Sequence, residues 1–129
     1  MPDNLVSIPV SVGELIDKIT ILEIKDRKIA DPGKLGNVRA ELAQLRQIRA
    51  RLPRLSEIAT PERELQSVNT RLWEVEDDLR ELEARADFGA RFVELARSVY
   101  KLNDRRAALK YAINLATGST IVEEKSYAG

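Results

Sequence analysis

Apolar residues recur along this chain at alternating spacings of three and four, the repeat that lines one face of an α-helix. Val12, Leu15, Ile19, Leu22 and Ile29 form a first stripe, and Leu35, Val38, Leu42, Leu45 and Leu52 a second. Leu65, Val68, Leu72, Val75, Leu79, Leu82 and Ala86 continue a third without interruption. Phe88, Phe92, Leu95, Val99, Leu102, Leu109 and Ile113 form a fourth. The spacing predicts helices over about 12–30, 34–52, 61–86 and 88–117.

Local signals mark the ends of these segments. Ser11, with Glu14 three residues on, makes a capping box for the first helix. "ADPG" ends it, because the residue before Pro32 disfavours helix. Asp31 then suits the cap of the second helix and Pro32 its first turn, while Gly33 and Gly36 weaken that turn. Pro53 stops the second helix, and Thr60 with Pro61 opens the third. Between the third and fourth stripes the phase jumps, since Phe88 lies about 200° from Ala86 around a continuous helix. A break near Asp87, with Asp87 as the next cap, accounts for the jump; one long helix with a stutter is the alternative. Gly118 suits the left-handed residue after the fourth helix.

Four heptad-patterned helices joined by short turns predict an all-α fold, an antiparallel helical bundle or coiled-coil hairpin spanning 1–129 as one domain. The second and third helices are expected to form its most regular hairpin. The flanking "LVSIPV" and "STIVEEKSY" lack helical spacing and are either short paired strands or two extended tails.

Composition narrows the chemistry. The chain has 21 basic and 21 acidic residues, so it carries no basic excess for nucleic acid or an anionic membrane. It has no cysteine and no histidine. That excludes disulfides and thiolate metal sites, along with imidazole bases, Ser-His triads and the usual zinc ligands. No metal and no cofactor is expected. The N-terminus lacks the basic-then-apolar pattern of a signal peptide, and no apolar run reaches the roughly 20 residues of a membrane span. These features predict a cytoplasmic protein. "GKLGN" and "TGST" lack phosphate-loop spacing and read as a helix start and a helix stop. The acidic run "WEVEDDLRELEARAD" reads as a solvated helix flank.

Three stripes are interrupted by charge: Asp26 in the first helix, Arg49 in the second and Arg106 in the fourth. Glu23 lies about 60° from Asp26, and Lys110 and Asn103 about 40° and 60° from Arg106, all towards the core side. An unpaired charge in an apolar core is costly, so these groups must meet each other, water or a ligand. The simplest pairing joins Arg106 to Asp26 or Glu23, in a network that fixes helix register. The alternative is a cavity in which Arg49, Arg106 and Lys110 hold a small anion. Trp73, about 80° off the third stripe, and Tyr100 and Tyr111, on the flank of the fourth, are candidate partner contacts. Helices this long leave apolar surface uncovered in one copy, which predicts a homodimer.

The blocks "SIPVSVGELIDKITILEIKDRKI", "KLGNVRAEL" and "LNDRRAALKYAINLATGSTIVEEKSYAG" resemble a family of small uncharacterised bacterial proteins, a domain of unknown function. The resemblance covers nearly the whole chain. It implies a bacterial cytoplasmic protein, with relatives sometimes encoded near cell-surface polysaccharide genes, and it supplies no catalytic residues. "ELIDKITILEIKDRKIADPGK" is also similar to the first helix of the all-helical chorismate mutases. That likeness implies a dicarboxylate held by basic residues, here Lys18, Arg27 and Lys34. The glutamine of that family's last helix has no counterpart. Two functions follow: a non-enzymatic, self-associating helical interaction module, or an anion-binding protein or enzyme built on the inward basic cluster.

Overall fold

The structure, a computed structural model, describes residues 4–126. Four α-helices account for most of it: α1 (Val12–Lys28), α2 (Pro32–Arg49), α3 (Ala59–Ala84) and α4 (Ala90–Thr117). A short 3-10 helix, Leu55–Ile58, leads into α3. Helices pack against helices throughout, and no strand occurs among the described residues. The fold is all-α, and the described residues of both tails belong to no helix or strand.

The arrangement follows from α1, which is buried on two sides. Leu15, Ile19 and Leu22 pack on Val38 and Leu42 of α2. On its other side, Ile16 packs with Ile58, Leu65, Leu109 and Ile113. α2 packs its apolar face on α1 alone and meets α3 only through a charged pair at its last residue, Arg49 with Glu62, so it is an outer layer on a three-helix body of α1, α3 and α4. The expected hairpin of the second and third helices is replaced by one of α3 and α4. Ile58 is fully buried against α1 and α4, and this anchor carries the 50–58 connection across the bundle, away from α2. Beyond the reach of α1 the α3–α4 hairpin has its own core of Val75, Leu82 and Leu95.

Several boundaries shift for local reasons. α1 stops at Lys28 because Ile29 is already extended, with ψ of 133°. α2 starts at Pro32, with the Asp31 carboxylate accepting the Lys34 N–H at 2.9 Å. It ends at Arg49, three residues short of Leu52. Thr60 does not cap α3, because the 3-10 helix runs straight into it and Thr60 lies inside the helix.

The break between the third and fourth helices is present. α3 ends at Ala84, Ala86 is left-handed at φ 54°, and the Asp87 N–H closes the turn on the Leu82 carbonyl at 2.9 Å. Asp87 does not cap α4; Gly89 holds that position, and the Asp87 carboxylate accepts the Gly89 N–H at 3.2 Å. Phe88 therefore lies outside the helix, its ring edge-on to Phe92 with centroids 5.2 Å apart. Gly118 is left-handed, at φ 66°, after the last turn of α4.

Ala86 occupies a conformation that disfavours a side chain, and it is exposed. Replacing it with glycine should raise stability by about 1 kcal/mol, read as a shift of the urea midpoint. An unchanged or lower midpoint would contradict this account of the turn.

Candidate functional site

The second buried face of α1 carries polar groups as well as Ile16 and Ile24. Asp17 is 1% exposed and Thr20 equally buried. Both face α3 and α4. Arg106 of α4 grips Asp17 with both arms of its fork, Nε to Oδ1 at 2.9 Å and Nη2 to Oδ2 at 2.5 Å. Asn69 of α3 donates one amide hydrogen to Asp17 Oδ1 at 2.9 Å and the other to Thr20 Oγ1 at 2.8 Å. The Thr20 hydroxyl donates to the Asp17 carbonyl at 2.7 Å. One carboxylate thus joins three helices.

The seam continues towards the N-terminus of α1. Lys110 donates to Glu14 at 2.6 Å, one turn from the Arg106 pair. Gly13 lets the two backbones approach, since a Cβ there would press on the Lys110 carbonyl oxygen and lie 2.8 Å from Asn114 Oδ1. Its N–H donates to that same Asn114 oxygen at 2.6 Å. The Ser11 hydroxyl caps α1 as expected, accepting the Glu14 N–H at 3.0 Å, but the capping box is not closed, because the Glu14 carboxylate turns to Lys110. The Ser11 hydroxyl also donates to Glu123 of the C-terminal tail at 2.7 Å, and Asn114 Nδ2 donates to Glu123 at 3.1 Å. The tail is thereby fastened over the start of α1. Among the described residues no buried side-chain nitrogen or oxygen lacks a hydrogen bond.

Electrostatics follow the geometry. Burial pushes the Asp17 carboxyl up, but the hydrogen bonds from Arg106 and Asn69 outweigh it and hold the group below the usual carboxylate range. The bond to Asp17 raises Arg106 further, against burial. Glu123 is also held low: desolvation opposes this, and the bonds from Ser11, its own backbone N–H and Asn114 prevail.

Alongside the seam the same three helices line a groove of about 470 Å³. Ile24 of α1, Leu72 and Trp73 of α3 and Asn103 of α4 form its sides. Arg106 and Asn69 reach it from the seam.

The candidate residues divide between several places. Trp73, Asn103 and Arg106 meet in the groove, and Lys110 sits one turn away in the seam. Glu23 and Asp26 do not reach Arg106. They face α2, where Glu23 binds Arg46 at 3.0 Å and Asp26 binds Arg39 at 2.7 Å. The expected pairing is corrected by helix geometry: Asp17 lies nine residues before Asp26, about 180° around α1. Arg49 binds Glu62 of α3 through both arms, at 3.0 and 2.6 Å, and stands apart from Arg106. Tyr100 and Tyr111 are exposed on the outer face of α4. Lys18, Arg27 and Lys34 are exposed, and none lines the groove.

Sequence reasoning missed Asp17, Thr20, Asn69, Asn114 and Glu123. The signal for the first two was present: Ile16, Ile21 and Ile24 lie off the first stripe, so α1 is apolar around most of its circumference, as a helix buried on two sides must be.

Fold and seam together define an all-helical protein whose core helices are registered by partly buried ion pairs. The chain belongs to a family of unknown function (DUF6165), whose model matches residues 6–129. This agrees with the resemblance to a domain of unknown function. No match was found to a curated protein or to a solved structure.

Arg106→Leu leaves Asp17 buried without its counter-charge and should cost about 3 kcal/mol, although leucine completes the apolar stripe. Combining it with Asp17→Leu should recover much of that loss, whereas combining it with Asp26→Leu should be additive. A double-mutant cycle by urea denaturation reads the difference; additivity with Asp17 would show that the pair does not hold the helices. Acid provides a second check. A carboxyl held low in the folded state contributes stability above its unfolded pKa of about 4 and loses it as pH falls through the folded value. Stability should therefore decline below about pH 4, and less steeply in Asp17→Asn.

Proposed function

We propose that the protein is a non-enzymatic helical interaction module, a single domain over 1–129, that pairs with a second copy through the end where its two tails meet. The observation that carries this reading is the exposure of Leu5, Val6, Ile8 and Val10, which range from 41% to 80%. This N-terminal tail enters α1 at Ser11, which the C-terminal tail fastens through Glu123. Leu115 and Tyr111, at the same end of α4, and Ile121 in the C-terminal tail are also exposed. α1 packs on every other helix, which supports a single domain.

The area decides between a chance patch and an interface. At roughly 150–200 Å² for a whole large apolar residue, these seven side chains leave roughly 600–800 Å² open per copy. Large patches on monomers reach about 300–600 Å², and a standard complex buries about 800 Å² per partner. A second copy matches this surface because the same end of the molecule offers both an apolar tail and an apolar helix face, and a two-fold axis can place each against the other.

No helix among the described residues is long and apolar enough to cross a membrane. Together with the absence of cysteine and the balanced charge, this supports the reading of a cytoplasmic module that does not insert in membranes or bind nucleic acid. The alternative of a small-anion site or a chorismate-mutase-like enzyme has less support. Arg49, Arg106 and Lys110 are each already neutralised by a carboxylate, Glu62, Asp17 and Glu14 respectively.

Light scattering at tens of micromolar should give twice the chain mass of 14.5 kDa. Ile8→Asp with Leu115→Glu should return a single chain of unchanged helical circular dichroism. A single-chain mass for the unaltered protein would overturn the reading.

A further inference from the structure

The groove beside the seam has features that self-association leaves unexplained. Asn69 spends both amide hydrogens on Asp17 and Thr20, which fixes the orientation of its amide. Its Oδ1 has no partner among the described residues, and since no buried side-chain oxygen there is unsatisfied, that oxygen opens onto the groove. Arg106 bonds Asp17 through Nε and Nη2 and leaves Nη1 over. Its charge is already balanced by Asp17. Asn103 and Trp73 line the same groove, and no described residue hydrogen-bonds the side chain of either. The site thus offers one fixed acceptor, one fixed donor edge and one amide that supplies both, beside an indole and the apolar Ile24 and Leu72.

Charge selects among ligands. The floor sums to zero, because the Arg106 guanidinium faces Asp17. At the rim stand Glu76 and Asp77 with Arg80, one negative charge in excess. A phosphate or carboxylate therefore gains no uncompensated cation here, and a cation meets the donor edge of Arg106. An uncharged ligand with a flat face for the indole and an edge of alternating donors and acceptors satisfies every group. Asparagine amides pair with such edges through two hydrogen bonds, and aromatic side chains stack on such faces. A volume of about 470 Å³ is within the range of small-molecule sites.

We propose that the groove between α1, α3 and α4 binds an uncharged planar heterocycle of the nucleobase or nucleoside class, stacked on Trp73 and read by Asn103, Asn69 and the Nη1 edge of Arg106. The assignment is independent of dimer formation, which uses the other end of the molecule.

Trp73 is the chain's one tryptophan, so its fluorescence reports on this groove alone. The full chain is titrated with adenosine, guanosine, cytidine and uridine, each beside its 5′-monophosphate, with ribose as a non-planar comparator. At least one nucleoside should quench saturably with Kd below about 1 mM, its monophosphate should bind several-fold more weakly, and ribose should do nothing. The Asn103 side chain has no hydrogen-bond partner among the described residues, so Asn103→Ala should keep the urea midpoint while weakening that nucleoside roughly tenfold. Linear, unsaturated quenching by all four nucleosides would be collisional and would overturn the proposal. So would a monophosphate that binds more tightly than its nucleoside, which marks an anion site, or an Asn103→Ala variant of unchanged affinity.

Discussion

A carboxylate that is 1% exposed sits at the centre of this structure, and it is tolerable only because a guanidinium from another helix meets it with two bonds. That requirement pins residue 17 of α1 opposite residue 106 of α4. Asn69 then pins α3 to the same point. Apolar stripes by themselves tolerate sliding, since one leucine layer resembles the next, whereas a fork-to-carboxylate pair has one register. The close approach at Gly13 and the Lys110–Glu14 pair both follow from that register. They fall one turn further along two antiparallel helices already aligned.

The same logic separates the ion pairs that organise the fold from those that decorate it. Asp26–Arg39 and Glu23–Arg46 join α2 to α1 at the surface, where screening leaves each pair about 0–1 kcal/mol. α2 is held by Val38 and Leu42 on Leu15, Ile19 and Leu22, so its charges set position more than strength. Arg49–Glu62 is intermediate: bidentate, partly buried, and placed where α2 ends against the start of α3.

Much of the fold was legible because helix stripes and caps are local. Ser11, Asp31, Gly118 and the phase jump after Ala86 each act within a few residues, and each marked a helix end or a break. What was not legible was which stripe meets which. A stripe shows that a face is buried without naming its partner, and α1 has two such faces, of which the Leu15–Ile19–Leu22 side is the more regular. Following that side placed Asp26 in the core and overlooked Asp17 about half a turn away. Arg106 was found because it breaks a stripe. Asn69 was not, because polar residues beside a stripe are ordinary on any helix. The groove was half visible, in Trp73, Asn103 and Arg106, but that they meet depends on the tertiary register.

The seam also divides the molecule into unequal ends. Near Ser11, four segments converge: α1, α4 and both tails, tied by Glu123 to Ser11 and Asn114 and by Ser119 to the Val12 N–H at 3.1 Å. At the other end α3 and α4 run on as a pair beyond the reach of α1, with Val75, Leu82 and Leu95 as the whole buried core and Phe88 and Val93 exposed. Local opening costs least where few apolar contacts must be broken. The hairpin tip, with a left-handed alanine in its turn, therefore has the fewest apolar contacts to break, and the helices around the Asp17 pair have the most ties to one another. The groove lies between these two regimes. Its Asn69 and Arg106 side is tied down by the seam, while its Trp73 and Asn103 side chains have no hydrogen bond among the described residues.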